Sequence, residues 1–215
     1  TCICSDYLII DKKVKDRFLE LITSEIKAFY GEHPETSNDY ARIINSGSLE
    51  RISALMKSGQ IVTGGKVDAE NCFIAPTVIK DIMLDDPIMQ EEVFGPVLPV
   101  IGYGDFSEVY GIIERNPKPL ATYIFTTSPK LAREFLQKTQ SGSAGINETV
   151  MQIASPYLPY GGIGFSGIGR YHGKKSFETF SNMRSVLVKS NLFDLRLRYP
   201  PYNGFKEKII RFLLQ

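Results

Sequence analysis

The stretch ATYIFTTSPKLAREFLQKTQSG, residues 121–142, passes from an aromatic and β-branched run into a helical pattern whose limits are written into it. Ser128 stands at the cap position, Pro129 lies in the first turn, where a missing N–H is tolerated, and Gly142 lies beyond the end. It therefore reads as a strand followed by a helix. The chain starts in the same order. YLII reads as a strand, and Val14, Phe18, Ile22, Ile26 and Phe29 then recur every three or four residues, with Asp11 placed to cap and Gly31 to stop.

Between these two units the alternation continues. A polar stretch, GEHPETSND, leads to a helix around LERISALMK that ends at Gly59. QIVTGG reads as a short strand and turn, CFIAPTVIKD as a strand with a proline near its start, and VLPVIGY as another strand. FSEVYGIIERN is a short helix whose start is marked by Asp105 with Glu108 three residues on. Strands alternating with helices predict an α/β fold, a largely parallel sheet with flanking helices. After residue 150 the character changes: SPYLPYGGIGFSGIGRYHGKK is glycine-rich, aromatic and too irregular for helix or strand. SVLVK is one more strand-like run, and a Tyr-Pro-Pro-Tyr break separates it from the short amphipathic tail FKEKIIRFLLQ.

The totals narrow the function classes. The chain has 215 residues, of which 43% are hydrophobic and 23% charged, close to globular averages, so a buried core is expected and disorder is not. Twenty-five Lys and Arg against 24 Asp and Glu leave a formal charge of +1, which argues against nucleic acid and anionic membranes as partners. No apolar run approaches the ~20 residues of a membrane span. Lipid contact is left to the amphipathic tail alone, for which a packed terminal helix or surface docking is the simpler reading. Three cysteines, an odd number without a signal peptide, fit a reducing, cytoplasmic compartment better than a disulfide framework.

Few motifs carry chemistry by themselves. Gly162, Gly164 and Gly167 form a GxGxxG, but no strand leads into it and no clear helical pattern follows, so it reads as tight turns near a site and not as a phosphate cradle. Cys2 and Cys4 have no second cysteine pair or histidine at ligand spacing, and His33 and His172 lie far apart, so no metal site is expected. No GxSxG occurs. Thr1-Cys2 admits two readings: a processed amino-terminal nucleophile, or the cut edge of a longer protein just before a functional cysteine. In MQEEVFGPVLPV, Glu91 and Glu92 form either a solvated turn or an acceptor pair for a diol such as a ribose, and the spacing leaves both open.

Taken together, TC followed by SDYLI, then IAPTVI, MQEEVFGPVLPV, NPKPLATYIF, SGSAGIN and LPYGGIGFSGIGRYHGKKSFETFS resemble the carboxy-terminal half of an aldehyde dehydrogenase. RYHGKKSFETFS and RYPPY make the chain most similar to the class 3, fatty-aldehyde-type branch. The family's nucleophilic cysteine lies in a Gly-Gln-Thr-Cys segment, whose last two residues match Thr1-Cys2. The resemblance thus implies that Cys2 is the catalytic thiol, that Glu92 binds the ribose on the nicotinamide side, that Phe94 packs beside that ribose and ring, and that Tyr160 lines the substrate tunnel. Cys4 departs from the small or apolar residue usual there and is expected to be a neighbouring packed thiol.

The resemblance also implies a division into a catalytic region over 1–172, a dimerisation strand region over 173–192 and a terminal arm over 193–215. The cofactor-binding domain, the family's general-base glutamate and its oxyanion-holding asparagine have no match here. The implied parent enzyme is a homodimer that oxidises an aldehyde with NAD or NADP, and the chain alone is expected to be inactive as a dehydrogenase. Three other readings remain: a coenzyme A-acylating enzyme, an amino-terminal-nucleophile hydrolase using Thr1, and a non-catalytic dimerisation module.

Overall fold

The computed structural model describes residues 1–213 apart from 193 and 195. It divides into two compact units, Thr1–Phe180 and Ser181–Gln215. In the first, β1 (Leu8–Asp11) leads into α1 (Lys12–Tyr30), followed by α2 (Ser46–Leu55), β2 (Gln60–Thr63), β3 (Val67–Asp68), β4 (Phe73–Ile74), β5 (Thr77–Lys80) and β6 (Val97–Tyr103). Then come α3 (Ser107–Glu114), β7 (Ala121–Ile124), α4 (Pro129–Lys138), β8 (Ser143–Ile146) and α5 (Gly173–Thr179). The second unit holds α6 (Gly204–Leu213).

The main sheet has the order β1-β6-β5-β2, with β1, β6 and β5 parallel and β2 antiparallel at the edge. β7 and β8 form a second parallel pair. The expected α/β architecture with a largely parallel sheet is therefore present.

Both faces of the main sheet are covered, and period-two alternation decides which residues go where. Val78 and Val100 pack with Leu19 of α1, alongside Leu8, Ile10 and Leu98. Ile79, Val97 and Ile101 turn the other way, onto Leu49, Ile52 and Leu55 of α2. Val100 and Ile79 are 0% exposed, and full burial of such side chains stabilises by roughly 1.5–3 kcal/mol each. The boundaries follow the capping chemistry. Asp11 accepts the N–H of Lys13, Ser128 accepts that of Leu131, and the Gly31 N–H closes α1 on Lys27.

Three expectations need correction. CFIAPTVIKD is two strands in two different sheets, with Ala75 and Pro76 between them, where Pro76 has no N–H to donate to a ladder. The buried Thr77 hydroxyl holds the junction, donating to the Ala75 carbonyl at 2.7 Å and accepting the Gly65 N–H at 2.9 Å. The glycine-rich region is not wholly irregular, since α5 follows it directly. SVLVK forms no ladder among the described residues; Val186, Leu187 and Val188 are all exposed, so water can satisfy their backbone groups and nothing favours the extended form over others. Part of the arm expected over 193–215 falls on residues 193, 195, 214 and 215, outside the described set.

Candidate active site

Cys2 lies in a turn ahead of β1 that is closed by the Cys4 N–H donating to the Thr1 carbonyl at 2.9 Å. Ile3, 2% exposed, is the apolar pin of this turn, and its two neighbouring cysteines face outward. Cys4 is therefore not the packed thiol expected from its surroundings. Burying Ile3 between them directs both sulfurs to the surface.

Two side chains from distant parts of the sequence fix this segment. Tyr123, in β7, donates its hydroxyl to the Ile3 carbonyl at 2.6 Å. The same oxygen accepts the Val150 N–H at 3.2 Å and the Gln152 amide at 2.8 Å, so one phenol joins the amino-terminal turn to the loop after β8. Asp6 Oδ1 accepts the backbone N–H of Val93 at 2.9 Å. Burial holds the Asp6 carboxyl above its ordinary range, and the nearby Glu92 charge adds to that, against the Val93 N–H bond and Arg51, which act in the opposite direction.

That bond brings the cysteine segment beside the turn of Glu91–Phe94. Arg51, on α2, braces the turn from behind, donating to the Glu92 carbonyl at 3.2 Å, the Val93 carbonyl at 2.7 Å and the Glu91 carboxylate at 3.3 Å. The backbone of Glu92 is thereby held while its carboxylate, exposed, has no hydrogen bond or ion pair among the described residues. Phe94 is 61% exposed and sits at φ 46°, a left-handed conformation unusual for an aromatic residue. A Cβ at Gly95 would fall 2.6 Å from the end of the buried Ile52 side chain, so glycine lets the turn pack directly on α2. Among the described residues the turn thus presents the unpaired Glu92 carboxylate and the exposed Phe94 ring to solvent, on a backbone braced by Arg51.

Tyr160 reaches the cysteine itself. Its hydroxyl lies 3.6 Å from Cys2 Sγ, and the residue is 8% exposed. A reciprocal backbone pair fixes its position: the Tyr160 N–H donates to the Tyr171 carbonyl and the Tyr171 N–H to the Tyr160 carbonyl, both at 2.9 Å. The ring stacks on His172 with an interplanar angle of 24° and meets Tyr171 edge-on at 90°. Burial and the bond to Cys2 push the Tyr160 hydroxyl up to about 12. It stays protonated wherever a thiol titrates.

Of the residues singled out in the sequence, Cys2 and Tyr160 are in contact, and Glu92 and Phe94 share the turn tied to the cysteine segment through Asp6. The glycines of the GxGxxG shape the loop that carries Tyr160. Gly162 admits no side chain because a Cβ would fall 2.0 Å from the Ser166 carbonyl oxygen. Among the described residues no group of three metal-ligating side chains occurs. Sequence reasoning missed Tyr123, Asp6, Arg51 and His172. The first lies inside a strand and the third on the polar face of a helix, and nothing in their neighbours marks either. For His172 the only local signal is its place directly after Tyr171 and before Gly173.

Comparison with known proteins identifies the family of the chain. "Aldehyde dehydrogenase family 3 member F1" of Arabidopsis thaliana is 42% identical over 214 residues, covering 98% of this chain and 44% of its own length. "Aldehyde dehydrogenase, dimeric NADP-preferring" of Canis lupus familiaris is 41% identical over 203 residues, covering 94% of this chain and 45% of its own. The solved structure "Substrate bound state of Staphylococcus Aureus AldH" superposes with a TM-score of 0.88 at 37% identity, covering 100% of this chain and 47% of that one. The chain thus spans a little under half the length of these relatives. The family model "Aldehyde dehydrogenase family" matches residues 1–186, and with its thiol, its turn and its sheet in this arrangement the chain belongs to the aldehyde dehydrogenase family.

Proposed function

We propose that the chain is the carboxy-terminal, nucleophile-bearing portion of a class 3-like enzyme that oxidises an aldehyde to a carboxylic acid with NAD or NADP. The observation that supports this reading most is the bond from Val93 to Asp6, which ties the short segment that begins with Cys2 to the turn of Glu92 and Phe94. Cys2 adds as thiolate to the aldehyde carbon, giving a thiohemiacetal, and after loss of hydride the resulting thioester is hydrolysed by water. A nicotinamide dinucleotide, when bound, supplies the hydride acceptor. The chain fits such a group in part: Glu92 offers a carboxylate unpaired among the described residues for a ribose diol, and Phe94 offers an exposed face for packing beside it.

Tyr160 lines the aldehyde side of the same site. Residues 1–172 then form the catalytic region, 173–192 the dimerisation segment and 193–215 an arm. The homodimer reading is supported by the canine relative's description as dimeric and by the outward Leu187 and Val188 of SVLVK, a strand pattern awaiting an edge in a second copy. No helix among the described residues is long and apolar enough to cross a membrane, and three free cysteines suit a reducing, cytoplasmic setting.

The test is Cys2→Ser in the full-length enzyme, which is expected to abolish aldehyde-dependent reduction of NAD(P). Retained turnover overturns the assignment. Glu92→Gln is expected to slow hydride transfer while leaving the alkylation rate of Cys2 in place, and equal loss of both would make Glu92 a structural residue.

A further inference from the structure

Two thiols, Cys2 and Cys4, share one turn, and both face solvent. Two residues apart on the same short segment, they see nearly the same backbone. One contact separates them. Cys2 Sγ has the Tyr160 hydroxyl at 3.6 Å, within reach of a large sulfur atom, and Cys4 Sγ has no such partner among the described residues.

The phenol is held in place by more than its own packing. Tyr160 is fixed by the backbone pair with Tyr171, by the Tyr171 ring at its edge and by the His172 ring on its face. His172 itself sits at φ 82°, a conformation that costs a non-glycine residue of order 1–3 kcal/mol. Its N–H donates to Ser176 Oγ at 2.8 Å at the start of α5, and its Nδ1 is buried without a hydrogen-bond partner among the described residues. His172, strained in its backbone and unsatisfied at Nδ1 among the described residues, is kept where its ring stacks on the phenol that touches Cys2. That arrangement fixes the hydroxyl's direction in advance, as a preorganised donor requires.

We infer that the Tyr160 hydroxyl is a catalytic group of this site: it donates a hydrogen bond to the Cys2 thiolate and so makes Cys2, not Cys4, the reactive thiol. A thiolate sulfur can only accept, and the phenol keeps its proton throughout the range in which a thiol ionises, so the direction of the bond is set by the chemistry of the pair. The titratable groups around the hydroxyl are Cys2, Tyr171 and Tyr123, with His172 on the ring face. The role extends the proposed function, which gives Tyr160 only the lining of a tunnel.

The experiment measures alkylation rates of Cys2, Cys4 and Cys72 in this 215-residue chain with limiting iodoacetamide, mapped by mass spectrometry, for the parent chain and Tyr160→Phe. A donor that favours the thiolate also blunts it, with nucleophilicity falling by a little under half a log unit for each log unit of acidity gained. Near pH 7, Tyr160→Phe is therefore expected to slow Cys2 roughly threefold for each tenfold loss of thiolate. At alkaline pH high enough that thiolate fraction no longer limits the rate, the variant's Cys2 should react faster than the parent's. Cys4 and Cys72 should keep their rates at every pH. An unchanged Cys2, a loss without the alkaline crossover, or a parallel change at Cys4 overturns the inference, the last by showing that the turn itself moved. The dehydrogenase reading is judged separately by Cys2→Ser in the full-length enzyme, so either proposal fails without the other.

Discussion

Asp6 accepts the backbone N–H of Val93 across a sequence gap of 87 residues, and through that bond the segment carrying the nucleophile candidate and the turn carrying Glu92 become one structure. Neither segment is long enough to hold its own shape. Each is stabilised by the other and by a brace behind it, Tyr123 on one side and Arg51 on the other.

Removing the Asp6 carboxyl tests the link. Asp6→Ala leaves the Val93 N–H without its acceptor in a partly buried position and is expected to cost about 1–3 kcal/mol in urea denaturation. Hydrogen exchange at the Val93 amide should accelerate. Asp6→Asn, which keeps an acceptor oxygen, should recover most of both.

The same variant gives a pH signature. Burial raises the Asp6 carboxyl above 3.8, so just above that pH the folded chain holds its proton more firmly than the unfolded chain does. Stability contributed by this group therefore falls as pH rises through the window from 3.8 to the raised value. Asp6→Asn does not titrate, so its stability relative to the parent should climb across that window and level off above it. Parallel urea midpoints between pH 3 and pH 7 check this, and a constant difference would refute it.

Tyr123→Phe removes one oxygen that serves the Ile3 carbonyl, the Val150 N–H and the Gln152 amide. The expected cost is about 2 kcal/mol, and the turn of Thr1–Cys4 should loosen as a unit. Alkylation of Cys2 and Cys4 should then change together. That result is distinct from Tyr160→Phe, which is expected to move Cys2 alone.

The glycines of the GxGxxG separate by position. Gly162→Ala would drive a methyl into the Ser166 carbonyl and should destabilise by roughly 3 kcal/mol, with no nearby flexible side chain to yield. Gly164 has open space around its Cβ position and φ +62°, so Gly164→Ala should cost only about 1–2 kcal/mol. Thermal melts of the two variants decide between turn packing and a phosphate-binding role, which would require neither ordering.

Much of this fold is dictated locally. The cap at Asp11, the Ser128-Pro129 start and the apolar spacing of α1 act within one turn of chain, so the sequence determines those elements before any tertiary contact forms. The alternation of strand and helix points to a parallel sheet for a different reason, since parallel strands need a crossover between them, while the pairing itself is made only in the tertiary structure. β8, built from Ser143, Ala144, Gly145 and Ile146, was not legible, because small residues become a strand only when β7 offers them an edge. SVLVK shows the converse: a strong strand pattern forms no ladder among the described residues, because pairing needs a partner strand in register and not the pattern alone.

The site divides in the same way. Cys2, Glu92, Phe94 and Tyr160 stand in recognisable motifs, and the sequence determines that such residues are present. Only the tertiary structure decided that a phenol reaches one of two neighbouring thiols, that Asp6 joins the two segments and that Tyr123 and Arg51 hold them from behind. Those are hydrogen bonds between residues 40 to 158 positions apart, and no local preference encodes a partner at that distance.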